Sequence, residues 1–263
     1  MDCITLPLLG FTSLPLFREW LASPPVAQAN LVQALELLEK DKCPHTTLKE
    51  VFDTYSQDSG LVFGEPGDAL EFMNHMFSVF PKFGTEIQTS LNFSCGHFKA
   101  RTETVPYYQI SREDLKDLHL SEKLLETKST KREAYPCPEC GEEKELTITE
   151  AAVSFPSTFF VSLQRLSFDF ETMTRVFDDT EVPCKTVLEL PSGTYALKFT
   201  LLYSKIGDGG AYLLWFPAGS RAEASSFVAM TSTGQKELGL MFPAAKKLLR
   251  QKSVFFAYEK VGS

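Results

Sequence analysis

The sequence predicts an α+β protein formed by a single domain, because helical and strand patterns occupy different parts of the chain. Apolar residues recur at intervals of three and four up to about residue 81. Apolar runs separated by turn residues fill the chain from about residue 154 to residue 263. Between them, about residues 85–153 combine strand patterns, charge and a C-x-x-C pair. Helices first and strands later indicate α+β rather than alternating α/β.

Three segments of the first zone predict amphipathic helices, at residues 29–40, 47–55 and 68–80. Each has apolar side chains on one face, which we interpret as core packing. Pro66 and Gly67 precede the third segment as helix-start signals. The apolar positions are Leu31, Ala34, Leu35 and Leu38; then Leu48, Val51, Phe52 and Tyr55; then Ala69, Phe72, Met73, Met76, Phe77 and Phe80.

Apolar runs predict strands near residues 159–168, 196–203, 212–216 and 253–258. Turn signals at residues 190–193, 207–210 and 217–219 separate them, and residues 244–249 predict a short helix. The charged run at residues 123–133 is interpreted as a solvated helix or loop.

Composition excludes several classes of function. A net charge of −8 argues against a nucleic-acid partner, because polyphosphate binding needs a basic face. No apolar run reaches membrane-spanning length, so we expect no membrane insertion. Six cysteines in 263 residues favour a reducing compartment over a disulfide framework. We therefore expect an intracellular protein of the cytoplasm or nucleus, with no organic cofactor.

The pair Cys137 and Cys140, followed by Gly141, is the strongest chemical signal in the chain. A C-x-x-C turn can direct two thiolates at one ion, which makes half of a tetrahedral zinc site. The motif therefore requires further ligands elsewhere in the sequence.

Several segments, taken in order, resemble the ubiquitin-specific protease family of cysteine deubiquitinases. Residues 9–13 (L-G-F-T-S) are similar to the family's L-G-N-T-C box, and residues 68–72 (D-A-L-E-F) to its D-A-H-E-F helix start. Residues 135–141 resemble the family's second zinc knuckle. Residues 155–166, which end L-Q-R-L, resemble a family strand that ends L-K-R-F. The family's Y-x-L pattern, which leads to G-H-Y, resembles Tyr195 and Leu197 followed by residues 209–212 (G-G-A-Y). Residues 255–259 resemble the family's last strand.

The resemblance implies a papain-like, right-hand fold. A helical thumb would cover about residues 1–81, β fingers with a possible zinc knuckle about residues 85–153, and an antiparallel β palm about residues 154–263. It also implies ubiquitin or a ubiquitin-like protein as partner, with another protein as the alternative.

The resemblance further implies that no catalytic residue is intact. Ser13 stands at the position of the nucleophilic cysteine, Phe11 at that of the oxyanion-hole asparagine, and Ala211 at that of the histidine. The segment at residues 226–231, where the histidine's partner should lie, has no acid or amide. A hydroxyl without a general base is a poor nucleophile.

In the family the first zinc knuckle is also C-x-x-C, whereas this chain has Asn92 at its first position. The implied ligands are Cys95, Cys137 and Cys140, with His97 as the fourth, and the ion would be structural zinc. A metal-free finger with three buried thiols is the alternative. Cys184 is interpreted as a core residue.

These patterns lead to three hypotheses. The first is an inactive, ubiquitin-specific-protease-like pseudoenzyme that acts as a binding scaffold. The second is an active cysteine-type deubiquitinase with relocated catalytic residues. The third is a protein-interaction module that does not bind ubiquitin.

Overall fold

The computed structural model describes residues 7–8, 10–11, 13–22, 29–39, 45–55, 69–77, 84–116, 118–206, 209–217, 226–231, 234–239 and 243–262. Among the described residues, the helices with defined bounds before the first strand are α1 (Pro15–Ala22), α2 (Ala29–Glu39), α3 (His45–Tyr55) and α4 (Ala69–Phe77). A 3₁₀ helix (Arg112–Leu115), α5 (Leu120–Leu125) and α6 (Pro243–Lys252) follow among the strands.

Within the part of the chain that the structure describes, the strands form three sheets. The first is four-stranded and antiparallel, in the order β2-β1-β5-β4, from β1 (Thr85–Phe93), β2 (Phe98–Val105), β4 (Lys128–Pro136) and β5 (Glu143–Ser154). A two-stranded hairpin pairs β7 (Leu166–Asp169) with β8 (Thr174–Phe177). The main sheet has the order β13-β12-β11-β10-β14-β6-β3, with β9 also paired to β10. Its strands are β3 (Tyr108–Ile110), β6 (Thr158–Leu163), β9 (Val187–Leu190), β10 (Gly193–Ile206), β11 (Gly209–Pro217), β12 (Ser226–Thr231), β13 (Gly234–Gly239) and β14 (Ser253–Lys260).

The described main-sheet pairs within residues 154–263 are antiparallel, as predicted, but the sheet also contains one parallel strand from outside that range. β3 pairs with β6 in parallel, with Tyr108 opposite Val161. The two strands run the same way because the chain leaves β3, passes through β4 and β5, and then returns to β6. A parallel pair requires such a long crossover. Residues within the zone predicted as fingers therefore contribute a strand to the palm.

The core lies on both faces of the main sheet. Along β6 and β14, side chains alternate between the faces, so Phe160 and Phe255 pack with the helices while Phe159 and Phe256 pack on the opposite side. Because both faces are covered, these strands are buried along nearly their whole length. Continuous apolar runs are typical of strands covered on both faces.

The predicted helices and strands of the thumb and palm are confirmed with shifted bounds. The three helical segments correspond to α2, α3 and α4, and α6 contains the predicted residues 244–249. Phe80 lies outside the described residues. The run predicted at residues 159–168 is two strands, β6 and β7, separated by Gln164 and Arg165.

The interpretation of residues 123–133 as a solvated helix or loop is only partly right: the run is largely exposed and residues 123–125 end α5, but residues 128–133 belong to β4. β4 is an edge strand, exposed along nearly its whole length. It therefore lacks the apolar alternation by which a half-buried strand is recognised. No helix within the described residues combines the length and apolar character needed to cross a membrane.

Candidate functional site

The β1–β2 turn and the β4–β5 turn lie side by side at one end of the four-stranded sheet. Side chains of the kinds that bind metal ions cluster there. In the β1–β2 turn, the N–H of Gly96 donates to the carbonyl of Phe93 at 2.9 Å. In the β4–β5 turn, the N–H of Gly141 donates to the carbonyl of Cys137 at 2.8 Å. Both glycines have positive φ, 88° and 72°, which a residue with a Cβ adopts at a cost. The N–H of Ser94 donates to the carbonyl of Glu145 at 2.9 Å and holds the two turns together.

These turns bring Cys95, His97, Cys137 and Cys140 to one point. The sulfur of Cys95 lies 3.7 Å from those of Cys137 and Cys140. Nδ1 of His97 lies 3.4 Å from the sulfurs of Cys95 and Cys137. All four ligand atoms lie within 4.8 Å of one another, so the cluster could hold a metal ion.

The separations fit a tetrahedral zinc ion. Zinc–sulfur and zinc–nitrogen bonds of about 2.3 and 2.0 Å place two sulfurs about 3.8 Å apart, and a sulfur and a nitrogen about 3.5 Å apart. The observed 3.7 and 3.4 Å agree with that geometry. Three cysteines and one histidine are also a known donor set for structural zinc.

Asn92 does not join the cluster because of its position on β1. It stands opposite Phe98 and Thr147, on the face away from buried Phe93. His97 ends the turn, where Gly96 allows its ring to reach the sulfurs. The turn that follows Asn92 thus brings a nitrogen atom, Nδ1 of His97, to the sulfurs from its other end.

Hydrogen bonds around the cluster favour a thiolate at Cys137. Burial alone would raise the pKa of this thiol, but the backbone N–H groups of Cys140 and Glu139 and the neighbouring thiols lower it to about 6. For Cys140, a hydrogen bond from the backbone of Glu142 acts to lower the pKa, yet burial and its contacts with Cys137 and Cys95 raise it. Cys184 lies elsewhere, packed against the core, where burial raises the pKa of its thiol to about 12.

Ser13 lies in a turn just before α1. Its N–H and its hydroxyl both donate to the carbonyl of Gly10, at 3.1 and 2.7 Å. An added Cβ at Gly10 would approach the ring of Phe199 to 2.9 Å, so glycine is required at this turn. The hydroxyl of Ser13, the residue predicted at the nucleophile position, is therefore directed to the backbone of its own turn.

Phe11 is fully buried in the core between the helices and the main sheet. Its ring centroid lies 5.6 Å from those of Phe17 and Phe77, 5.7 Å from Phe160 and 6.2 Å from Phe199. The side chain of Phe11, predicted at the oxyanion-hole position, thus packs with α1, α4, β6 and β10.

The two positions that the resemblance assigns to the histidine and its partner lie on adjacent strands of the main sheet. Ala211 is on β11, opposite Ser204 of β10. The segment Ser226–Thr231 forms β12, which pairs with β11 through Leu214 and Met230.

Arg165 is a residue to which the sequence assigned no role. It is fully buried and donates to four backbone carbonyls, those of Ser253, Asp178, Thr180 and Arg250, at 2.7–2.8 Å. Burial lowers its pKa to about 10, although the nearby Asp178 and Asp179 act in the opposite direction. The guanidinium joins the base of the β7–β8 hairpin to the start of β14. In the sequence, Arg165 is recognisable only as a charged residue within a mainly apolar run.

Comparison with known proteins shows likeness only at the level of structure. No protein-family model matches the chain, and no curated protein matches its sequence. A solved structure of the SAGA DUB module of Ubp8, Sgf11, Sus1 and Sgf73, bound to monoubiquitin, matches 98% of this chain with a TM-score of 0.71 and 12% identity. The same module bound to ubiquitin aldehyde matches 97% of it with a TM-score of 0.69 and 13% identity.

In both matches this chain spans 66% of the neighbour's length. A second form of the module, with Sgf11 truncated, gives a TM-score of 0.71 at 11% identity. At such identity the likeness shows the fold alone. The chain therefore has the ubiquitin-specific-protease-like fold found in the SAGA DUB module.

Proposed function

We propose that this chain is a ubiquitin-specific-protease-like pseudoenzyme that binds ubiquitin or a ubiquitin-like protein without cleaving it. The fold supports the binding half of the proposal, because similar structures are of a module bound to monoubiquitin and to ubiquitin aldehyde. The residues at the predicted catalytic positions support the absence of cleavage.

The proposal depends chiefly on the contacts that Ser13 and Phe11 make. Cysteine-protease chemistry needs a thiolate, a histidine that accepts its proton and a donor for the oxyanion. The hydroxyl of Ser13 donates to Gly10, and Phe11 has no side-chain donor and packs in the core. Ala211 cannot accept a proton. Loss of a nucleophile or its base in comparable triads lowers kcat by about a million-fold.

The distances around Cys95, His97, Cys137 and Cys140 support structural zinc as part of the proposal. A bound zinc ion would join the two turns and hold the end of the four-stranded sheet in one shape. Because all four positions are taken by protein atoms, such an ion would have a structural role.

The activity half is tested with ubiquitin carrying a C-terminal vinyl sulfone and with a fluorogenic ubiquitin substrate. We expect no adduct and no turnover from the wild type. Ser13→Cys provides a thiol without a base, and we expect it to stay far below an active deubiquitinase assayed in parallel. Wild-type turnover that is lost in Cys3→Ser or Ser13→Ala would show an active enzyme with relocated residues.

The binding half is tested by titrating isotopically labelled ubiquitin with the full chain and following amide shifts. Saturable shifts are expected. Absence of binding at about 1 mM, near the weak limit of specific association, would favour an interaction module that has lost ubiquitin.

A further inference from the structure

The three thiols of the metal-ligating cluster differ in their access to solvent. Cys95 and Cys140 are exposed, whereas Cys137 is 1% exposed and packs with Phe93 and Leu146. Oxidants react with cysteines according to their thiolate character and their exposure. Because zinc keeps all its cysteine ligands as thiolates, exposure is what distinguishes the three in a zinc-bound cluster. A dissolved oxidant therefore has access to the sulfurs of Cys95 and Cys140 rather than to that of Cys137.

The two exposed sulfurs are also close to each other. They lie 3.7 Å apart on different turns, although 45 residues separate Cys95 from Cys140 in sequence. A disulfide requires a separation of about 2.05 Å, so each sulfur would move by about 1 Å. Rotation of the two side chains about their own torsions is enough for a movement of that size. The pair is thus placed for oxidation without a rearrangement of the strands.

The backbones of the two turns are held by hydrogen bonds that involve no ligand side chain. The N–H of Phe93 donates to the carbonyl of His97 at 3.0 Å and closes the first turn. The N–H of Cys137 donates to the carbonyl of Glu142 at 2.9 Å and closes the second. The hydrogen bond of Ser94 described above joins one turn to the other. Departure of an ion would therefore leave the two exposed sulfurs near each other.

We infer that this cluster is a redox switch, in which a peroxide joins Cys95 to Cys140 in a disulfide and expels the zinc ion. The inference rests on the structural zinc of the proposed function and gives that site a second state. The disulfide removes two of the four ligands, because the thiolate is the form of cysteine that binds metals. Cys137 and His97 alone make half of a zinc site. The link between the two turns changes from an ion to a covalent bond.

The reaction balances with hydrogen peroxide as the oxidant. One exposed thiolate attacks the peroxide, so that the O–O bond breaks, an S–O bond forms and hydroxide leaves. The second thiolate attacks the sulfur of this sulfenic acid, forms the S–S bond and displaces another hydroxide. The two sulfurs lose two electrons to the peroxide, two protons from solvent convert the hydroxides into water, and Zn²⁺ is released. A dithiol reduces the S–S bond by exchange and allows zinc to bind again.

The test treats the full, reduced chain with hydrogen peroxide after its zinc content has been measured. A zinc-binding dye follows the release of the ion, and digestion with glutamyl endopeptidase followed by mass spectrometry assigns the disulfide. This protease cleaves after Glu139, which places Cys137 and Cys140 in separate peptides. We expect one zinc ion to be released for each Cys95–Cys140 disulfide that forms. A dithiol with added zinc should restore both the free thiols and the zinc content.

Cys140→Ser tests the choice of partner, because the thiol that remains beside Cys95 is the buried Cys137. We expect peroxide to convert Cys95 in this variant into its sulfinic acid rather than into a disulfide. Cys184→Ala is the matched control, since Cys184 packs against the core outside the cluster. Its zinc release and its peptide map should equal those of the wild type.

The thermal unfolding midpoint measures the change of link independently. A chelator should lower the midpoint of the reduced chain, because it removes the ion that joins the turns. The same chelator should leave the midpoint of the peroxide-treated chain unchanged, because a disulfide needs no ion. An equal decrease in both states would show that the oxidised chain still depends on zinc and would overturn the inference.

Three results of the peroxide experiment would also overturn it: a main product with a disulfide at another pair of cysteines, release of zinc without a disulfide, or retention of both zinc and thiols in excess peroxide. A Cys95–Cys137 disulfide that forms in Cys140→Ser as readily as the expected bond forms in the wild type would show that exposure does not select the pair. A reduced chain without zinc would contradict the zinc assignment of the proposed function. The peptide map of that chain after peroxide would still decide the pairing of the cysteines.

Discussion

The sulfurs of Cys95 and Cys137 lie 3.7 Å apart although 42 residues separate them in sequence. The residues between them include β2, the palm strand β3 and β4. The contact therefore depends on the pairing of β1 with β5 and of β5 with β4, which aligns the two turns at one end of the sheet.

We predict that the purified chain contains close to one zinc ion and that Cys137→Ser lowers this content strongly, because three ligands bind zinc far more weakly than four. Zinc is measured by elemental analysis together with the thermal unfolding midpoint. Cys184→Ala is the control: it changes a core thiol outside the cluster and should leave the zinc content unchanged. Full zinc retention in Cys137→Ser would contradict the assignment of ligands.

Replacing Phe11 with asparagine, the residue at this position in the family, should destabilise the chain rather than restore activity. The change removes an aromatic side chain from the core and buries an amide among four rings. We expect a loss of about 3 kcal/mol or more in the free energy of unfolding, measured with urea. Phe11→Leu, which keeps an apolar side chain, should lose less. A stable Phe11→Asn protein would show that the loop can rearrange around this position.

Arg165→Met should be strongly destabilising, because four carbonyls would each lose a donor, and of these the carbonyl of Arg250 keeps the N–H of Val182. Each buried acceptor left without a partner costs about 1–3 kcal/mol, so we expect a total of about 3 kcal/mol or more. Arg165→Lys should be nearly as harmful, since an ammonium cannot reproduce the planar fork of donors. Arg250→Ala is the control, because the side chain of Arg250 is largely exposed and the loss should stay within about 0.5 kcal/mol.

Acid should weaken the base of the β7–β8 hairpin through Asp178. Burial acts to raise the pKa of Asp178, but hydrogen bonds from Thr180 and the guanidinium of Arg112 lower it below its usual value of 3.8. A carboxyl group with a lowered pKa in the folded state contributes stability above its unfolded pKa and loses that contribution as the pH falls through the folded value. The loss should therefore begin near pH 4 and continue below it.

The measurement compares urea midpoints at pH 7 and pH 3 for the wild type and Asp178→Asn. The variant should be less stable at pH 7 and lose less on acidification. Asp179→Asn, which changes the exposed neighbour, should respond to acid like the wild type. An unchanged acid response in Asp178→Asn would rule out this carboxylate as a source of acid sensitivity.

The helices and the buried strands could be predicted because they carry strong periodic patterns. Residues 29–40 show an apolar face at helical spacing and form α2, while the apolar run at residues 253–258 falls within β14. Cys95, His97, Cys137 and Cys140 could also be proposed together, because the resemblance to a family with two zinc knuckles paired the C-x-x-C turn with the segment of Cys95 and His97.

Other features had no local signal. β4 has almost no buried side chain, so nothing in residues 128–136 distinguishes an edge strand from a charged loop. The parallel pairing of β3 with β6 depends on three residues of β3 and on a path through the other sheet. α1 was missed because only two turns of helix begin at Pro15, although proline is common at the first helical position. The four bonds of Arg165 connect segments up to 88 residues apart, which no local pattern records.

The insertion of β3 between the two halves of the four-stranded sheet has a consequence for folding. β1 and β2 form a hairpin of adjacent segments, but β1 pairs with β5 only after the chain has passed through the palm. The second hairpin, β4–β5, therefore has to find the first across a long closed loop, and pairing of that kind is slow. Excision of residues 85–153 would also remove the edge strand of the main sheet. We expect thumb, palm and fingers to unfold in one cooperative transition rather than as separable units.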